Sequence, residues 1–304
     1  MEFETQRGRR KDLELIPVNN PIGYIGGLVY PTLPVREKTG TVYFKTVTAD
    51  AAAQTGRSSG TAPTKAMLTD SSTAFSTAEA IKRYAVDRNE VMQMGGIEAA
   101  DKLGGTASKR SIQRALEDAA AASLISAAAY SAATDISSTI FAGIDDAADS
   151  VRRYAGKTAF VCSKNVYKWL IKQTELTGKM SWSFTGASIQ EILSMNVNVF
   201  KAMLQGLFAF DEVLVGDDDH WMLTGMEDAA AVVKLPPPDE FSHKMDPVLG
   251  KNVIYMPDDN QFEINSFYDD DARINAYDCA SWYVIKELNS GAKKLVKGLG
   301  TPTT

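Results

Sequence analysis

Between Val35 and Ser76 the chain spells out a ribbon that cannot stand alone. Thr41 to Thr48 (TVYFKTVT) is rich in β-branched and aromatic residues, the composition of a strand. Asp50 to Pro63 (DAAAQTGRSSGTAP) then carries no large apolar side chain. From Lys65 the sequence returns through Ala66, Met67, Leu68 and Thr69 to Phe75. This is a β-hairpin arm with two long limbs and a soft tip. Limbs of about 12 residues reach roughly 40 Å at about 3.3 Å per residue. A lone two-stranded ribbon is marginal in water. The arm is therefore expected to gain order by lying on another surface, and a second copy of the chain is the first candidate.

The flanks support a chain built partly of docking segments. Residues 1–34 read as an extended N-terminal arm. Pro17, Pro21, Pro31 and Pro34, with Gly23, Gly26 and Gly27, exclude a long helix there. Ile16, Ile22, Tyr24, Ile25, Leu28, Val29 and Tyr30 still offer apolar side chains to dock. Arg7, Arg9, Arg10 and Lys11 form a basic cluster that reads as an inter-subunit or scaffold contact, or as a solvated terminus. Four charges are too few for tight DNA binding by counterion release.

Downstream, Ala80 to Val86 reads as a strand. Asn89 to Leu103 is weakly helical, interrupted at Gly95-Gly96 and stopped at Gly104-Gly105. The clearest helix spans 108–129. Ile112, Leu116, Ala119 or Ala120, Ser123 and Ala127 mark one face, and Lys109, Arg110, Arg114, Glu117 and Asp118 another, polar one. Asp145 to Tyr154 is a short helix. Strands are expected at Thr158–Cys162, Val197–Phe200, Glu212–Val215, Trp221–Thr224, Ala229–Leu235, Phe262–Tyr268 and Arg273–Glu287. Helices are expected at Asn165–Thr174 and Ser188–Met195, and Asn289–Thr304 reads as a polar tail. No internal repeat is visible.

Composition narrows the function. Of 304 residues, 44% are hydrophobic and 23% charged, enough to bury a core and too apolar for global disorder. The net charge of −6 argues against a dedicated nucleic-acid binder. Cys162 and Cys279 lie in apolar runs without a CxxC or a neighbouring His, and read as reduced core thiols of a cytoplasmic product. No apolar run approaches the ~20 residues of a membrane span, and the start lacks an apolar signal core.

Candidate chemistry is sparse. Asp217-Asp218-Asp219-His220 offers oxygen and imidazole ligands for a divalent cation, but equally a solvated turn between strands. Asp269-Asp270-Asp271 reads the same way. Cys162 could in principle pair with His220 or His243, the only histidines. No G-x-S-x-G, H-E-x-x-H, P-loop or dinucleotide fingerprint is present. No catalytic, cofactor or metal residue is assigned, and the chain is read as a non-enzyme.

The order of parts resembles the major capsid protein of tailed bacteriophages with the Hong Kong 97-type fold. Asn19 to Pro34 is similar to its N-terminal arm. VREKTGTVYFKTVTADAAAQTGRSSGTAPTKAML resembles the extended loop, and ASKRSIQRALEDAAAASLISAAA the long spine helix. KTAFVCSKNVYKWL and LFAFDEVLVGDDDHW resemble segments of the axial domain, and FEINSFYDDDARINAYDCASWYVIKEL the return to the peripheral domain.

The resemblance implies an α+β fold with four parts. These are an arm at 1–34, an extended loop at 35–76, a peripheral domain at 77–155 and 261–304 with spine helix 108–129, and an axial domain at 156–260. It implies a structural protein that self-assembles into pentamers and hexamers of an icosahedral shell around double-stranded DNA. The shell would form in the host cytoplasm and end in the virion, with portal, scaffolding and decoration proteins as partners, no sequence-specific DNA binding and no membrane. Tyr43, Lys45, Arg57, Lys65, Met67, Arg9 and Arg10 are the expected inter-subunit contacts. A lysine–asparagine crosslink through Lys45 or Lys65, known in some members, finds no pairing signal here. An N-terminal scaffolding segment is absent, which implies a separate scaffold or prior processing. The alternative is an encapsulin-like shell around a cargo enzyme; its N-terminal cargo helix fits poorly with the prolines and glycines.

Overall fold

The structure, a computed structural model, describes residues 8–18, 23–47, 68–93, 95–173, 197–269 and 273–300. Two sheets and a hairpin organise them. The first sheet contains β1 (Gly8–Arg9), β11 (Glu263–Asp269), β12 (Ile274–Glu287), β10 (Gly250–Tyr255) and β2 (Thr32–Val35), in that order. The 14-residue β12 is its hub. β11 and then β10 pair along one side, and β5 (Ala78–Asp87) runs along the other from Ala78↔Tyr283 to Asp87↔Ile274.

The second sheet has the order β6 (Thr134–Asp135), β13 (Lys293–Lys297), β9 (Ala230–Leu235), β7 (Lys157–Ser163) and β8 (Glu212–Gly216). Its β7–β8 pair is parallel, and β7 and β9 carry continuous buried runs, Ala159–Ser163 and Ala230–Val233, as expected of strands covered on two faces. One face carries α6 (Ile140–Val151), α7 (Lys164–Ile171) and α8 (Val197–Phe208), joined in a core around Ile144, Phe160, Leu170 and Leu204. The other face carries α2 (Gly26–Val29) and the end of α4 (Ile97–Leu124), around Val29, Leu124, Val161 and Trp221.

The spine helix differs from its expected bounds. α4 is 28 residues, about 42 Å at 1.5 Å per residue, and runs straight through Gly104-Gly105. Glycine in a helix interior costs up to about 1 kcal/mol against alanine. Here close packing requires it: a Cβ on Gly104 would sit 2.1 Å from Cδ2 of Tyr277. The helix ends at Leu124, not at residue 129. Ser126 then caps a separate α5 (Ala127–Ser131), its Oγ accepting from Ala129 N at 3.3 Å. Lys109 and Glu117, read as part of a polar face, are buried instead.

Other expectations need correction. Val197–Phe200 is not a strand but the first turn of α8, whose buried Phe200, Met203, Leu204 and Phe208 keep helical spacing beyond that short window. Trp221–Thr224 is not a strand. Asp218–Trp221 forms one helical turn, α9, with Trp221 N donating to Asp217 O at 2.8 Å. Asn289 onward is not a tail, because β13 buries Leu295 and Val296 beside β9. β10 was not anticipated at all.

The expected partition of residues also cuts across both sheets. β10, from the 156–260 segment, pairs with β12, and β13, from the 261–304 segment, pairs with β9. The expected helix at Ser188–Met195 lies outside the described residues.

Candidate assembly surface

The arm is present as a continuous antiparallel ladder of β3 (Thr39–Val47) and β4 (Leu68–Ser76), from Thr39↔Ser76 to Val47↔Leu68. Nine residues per limb give about 30 Å. The soft tip at 48–67, with Arg57, Lys65 and Met67, lies outside the described residues. The alternation of β3 explains how the base is held. Val42 and Phe44 point inward with Phe75 and pack on Val248, Val253 and Leu288. The base of the arm is thus ordered by its own body, where the polar sequence had pointed to a second copy.

Polar ties fix the root. Thr77 N and Oγ1 donate to Lys38 O at 2.8 and 3.1 Å. Asn289 Nδ2 donates to the carbonyls of Lys45 at 3.0 Å and Val248 at 2.8 Å. The Lys38 ammonium lies 4.0 Å from the Trp282 ring centroid and 5.3 Å from that of Tyr255, a cation–π seat. The outer face stays open: Tyr43 is 64% exposed opposite Ser72, and Lys45 pairs with Asp70 at 2.5 Å. A second surface went unnoticed in the sequence. β5 leaves Ile81 and Tyr84 exposed, and among the described residues it pairs only with β12. Its run of Lys82, Arg83 and Glu79 between apolar residues was the available signal.

The N-terminal segment lies along α4 and is held by buried polar groups. Lys109 Nζ donates to Glu14 O at 2.7 Å and Ile16 O at 2.8 Å, and burial lowers its pKa. Two turns on, Glu117 Oε1 accepts from Ile25 N at 2.6 Å and from Trp221 Nε1 at 2.6 Å. Gly26 N donates to Oε1 at 3.0 Å and Oε2 at 2.9 Å. One carboxylate therefore joins the strap, the helix and the α9 turn. Arg9 pairs with Glu14 and Asp258, and Arg10 with Asp12 and Asp101, all within the chain.

The candidate chemistry resolves into structure. His220 Nδ1 lies 2.6 Å from Asp118 Oδ1 and Nε2 3.2 Å from Tyr24 OH, so the imidazole bridges helix and strap. Among the described residues no group of three or more His, Cys, Asp or Glu side chains forms a metal cluster. Both cysteines are buried; burial pushes the Cys162 thiol far up and that of Cys279 up to about 12, so neither is poised as a nucleophile. Among the described residues no helix is long and apolar enough to cross a membrane.

A hairpin arm, a proline-rich strap, a long helix of small residues and two sheets sharing one chain path make up the described fold. The solved structures agree. The chain is similar to a phage-related protein from Bordetella bronchiseptica RB50, at 15% identity and TM-score 0.66, over 98% of this chain and 99% of that one. It is similar to the capsid of cyanophage P-SCSP1u at 11% identity and TM-score 0.55, over 93% and 90%. It is similar to the mature capsid of bacteriophage PhiM1 at 10% identity and TM-score 0.52, over 98% and 92%. No protein-family model matches the sequence. No curated protein matches it. At these identities the likeness establishes the fold alone, a mixed helix-and-sheet fold shared with solved phage capsid structures, in line with the fold that the sequence resemblance implied.

Proposed function

We propose that this chain is a major capsid protein that self-assembles into pentamers and hexamers of an icosahedral shell enclosing double-stranded DNA. The observation that carries the reading is the arm: its inner face is sealed on the body while its outer face presents Tyr43 and a charged pair to solvent. A ribbon built this way offers an outward surface to a neighbour without unfolding anything. Tyr43, Lys45, Arg57, Lys65 and Met67 remain the proposed contacts of the arm. Arg9 and Arg10 remain proposed contacts as well, with charge partly satisfied inside the chain. The role is structural, not enzymatic, and the protein resides in the virion. Its partners are further copies of itself, with portal, scaffolding and decoration proteins at the vertices and surface. The DNA is enclosed rather than read, which suits a net charge of −6.

Negative-stain microscopy of the purified chain tests this. Hexamers, pentamers or closed shells are expected. A monomer or dimer at every concentration and salt overturns the reading, and a shell filled with a protein cargo instead of DNA replaces it by the nanocompartment alternative.

A further inference from the structure

The five-stranded sheet carries opposite charges on its two flanks. On the β8 flank, Lys164 and Lys168 stand at i and i+4 on α7, and Lys172 follows at its C-cap. Lys201 of α8 lines a groove of about 440 Å³ together with Lys164, Lys168, Val215, Gly216 and Asp217. Among the described residues none of these four lysines forms an ion pair. Among the described residues the one acidic group lining the groove is Asp217, followed in sequence by Asp218, which accepts from Asn165 N at 2.7 Å, and exposed Asp219.

On the other flank, α6 packs over β13 and β9. Asp145 and Asp146 are exposed there and unpaired among the described residues, while Asp149 is satisfied by Arg152 at 2.8 Å. Arg153, just past the helix, is turned onto the Tyr154 ring. Both flanks belong to the same helical layer, since α6, α7 and α8 share one core.

We propose that the lysine groove between α7 and α8 receives the Asp145–Asp146 face of α6 from a second copy of this chain. The inference rests on the shell reading and names the contact that builds its rings. Unlike patches on opposite flanks make a head-to-tail contact, and a head-to-tail contact closes into a ring when its rotation allows. The pairing suppresses the reversed, like-charge arrangement and so fixes direction around the ring. A second copy suits the groove better than nucleic acid: three lysines beside Asp217, on an acidic chain, neutralise few phosphates.

The test uses the full chain and two double variants on exposed positions, K164E/K168E and D145K/D146K, with their combination. Sedimentation velocity reads the ring oligomers in low salt. Circular dichroism and thermal melting establish that each variant is folded. Each double variant is expected to lower the ring fraction about tenfold, and the combination to restore it, because the charges are exchanged rather than removed. The parent rings are expected to loosen as the Debye length falls from about 10 Å to about 3 Å between 0.1 and 1 M salt.

Full rings from both double variants overturn the proposal, as does a combination that stays disassembled. Intact rings that lose only DNA retention in K164E/K168E overturn it in favour of a nucleic-acid groove. A variant that does not fold transfers the decision to the salt series, where rings indifferent to salt overturn it. A parent chain that never forms rings overturns the shell reading itself, a result distinct from all of these.

Discussion

Replacing Glu117 separates a buried joint from an ordinary helix residue. Its carboxylate is 4% exposed and accepts from Ile25 N, Gly26 N and Trp221 Nε1. Glu117→Ala orphans three buried donors. At about 1–3 kcal/mol per orphaned donor the simple sum is about 3–9 kcal/mol. Water entry and local relaxation pull the outcome toward the lower half, about 3–5 kcal/mol, still a large share of the roughly 5–15 kcal/mol that stabilises a typical domain. Glu117→Gln is the informative control. Its carbonyl can keep the bonds from Ile25 N and Trp221 Nε1, since both end on Oε1. Gly26 N–H also keeps its 3.0 Å bond to Oε1, but the new amide stands donor against donor where Oε2 accepted at 2.9 Å. That amide is the one buried donor left without a partner, which predicts a loss of about 1–3 kcal/mol. Urea unfolding of the unassembled subunit reads both, as a lower midpoint at unchanged slope. Hydrogen exchange at residues 23–30 should rise in the same order. An alanine variant within about 1 kcal/mol of the parent refutes the reasoning, and so does a glutamine variant as damaged as the alanine one.

Two further outcomes follow from packing and burial. Gly104→Ala drives a methyl into the Tyr277 ring, where a Cβ would lie 2.1 Å from Cδ2, and is expected to cost about 1–3 kcal/mol although alanine is the better helix former. A neutral or stabilised variant in thermal melts would show that the ring yields freely. Cys279 is held protonated, its pKa raised by burial to about 12 from 9.0, so it contributes stability that is complete below pH 9 and is lost as the pH rises toward 12. Cys279→Ala should flatten that alkaline limb in urea titrations, and both thiols of the folded parent should resist alkylation at pH 8. Rapid labelling without unfolding would contradict the burial.

What was legible in the sequence was local. Ala80–Val86, Thr158–Cys162, Phe262–Tyr268 and Arg273–Glu287 are strands because β-branched and aromatic residues mark them within a few positions. The hairpin showed itself through two such runs around a polar stretch. What was not legible depends on partners far along the chain. Glu117 looks like a solvated helix residue until Ile25, Gly26 and Trp221 arrive from 92, 91 and 104 residues away. Gly104 looks like a helix stop until Tyr277 occupies the space its side chain would need. Val42, Phe44 and Phe75 look like an arm seeking a neighbour until Val248, Val253 and Leu288 provide a floor. The short run at Val253-Ile254-Tyr255 has too few residues to announce β10, and Leu295-Val296 too few to announce β13.

The placement of β13 gives its sheet a late-made inner strand. It is the last strand in chain order among the described residues, yet it lies inside the second sheet, between β6 and β9. During synthesis the chain makes β6, β7, β8 and β9 first, and the sheet keeps a slot that only residues 293–297 fill. Closing that slot joins segments more than 150 residues apart, β6 at Thr134–Asp135 and β13 at Lys293–Lys297, the kind of long-range pairing that folds late. Until then α6 lacks part of the sheet it rests on. The topology thus makes residues 293–297 the closing strand of a sheet whose other strands are all made before it.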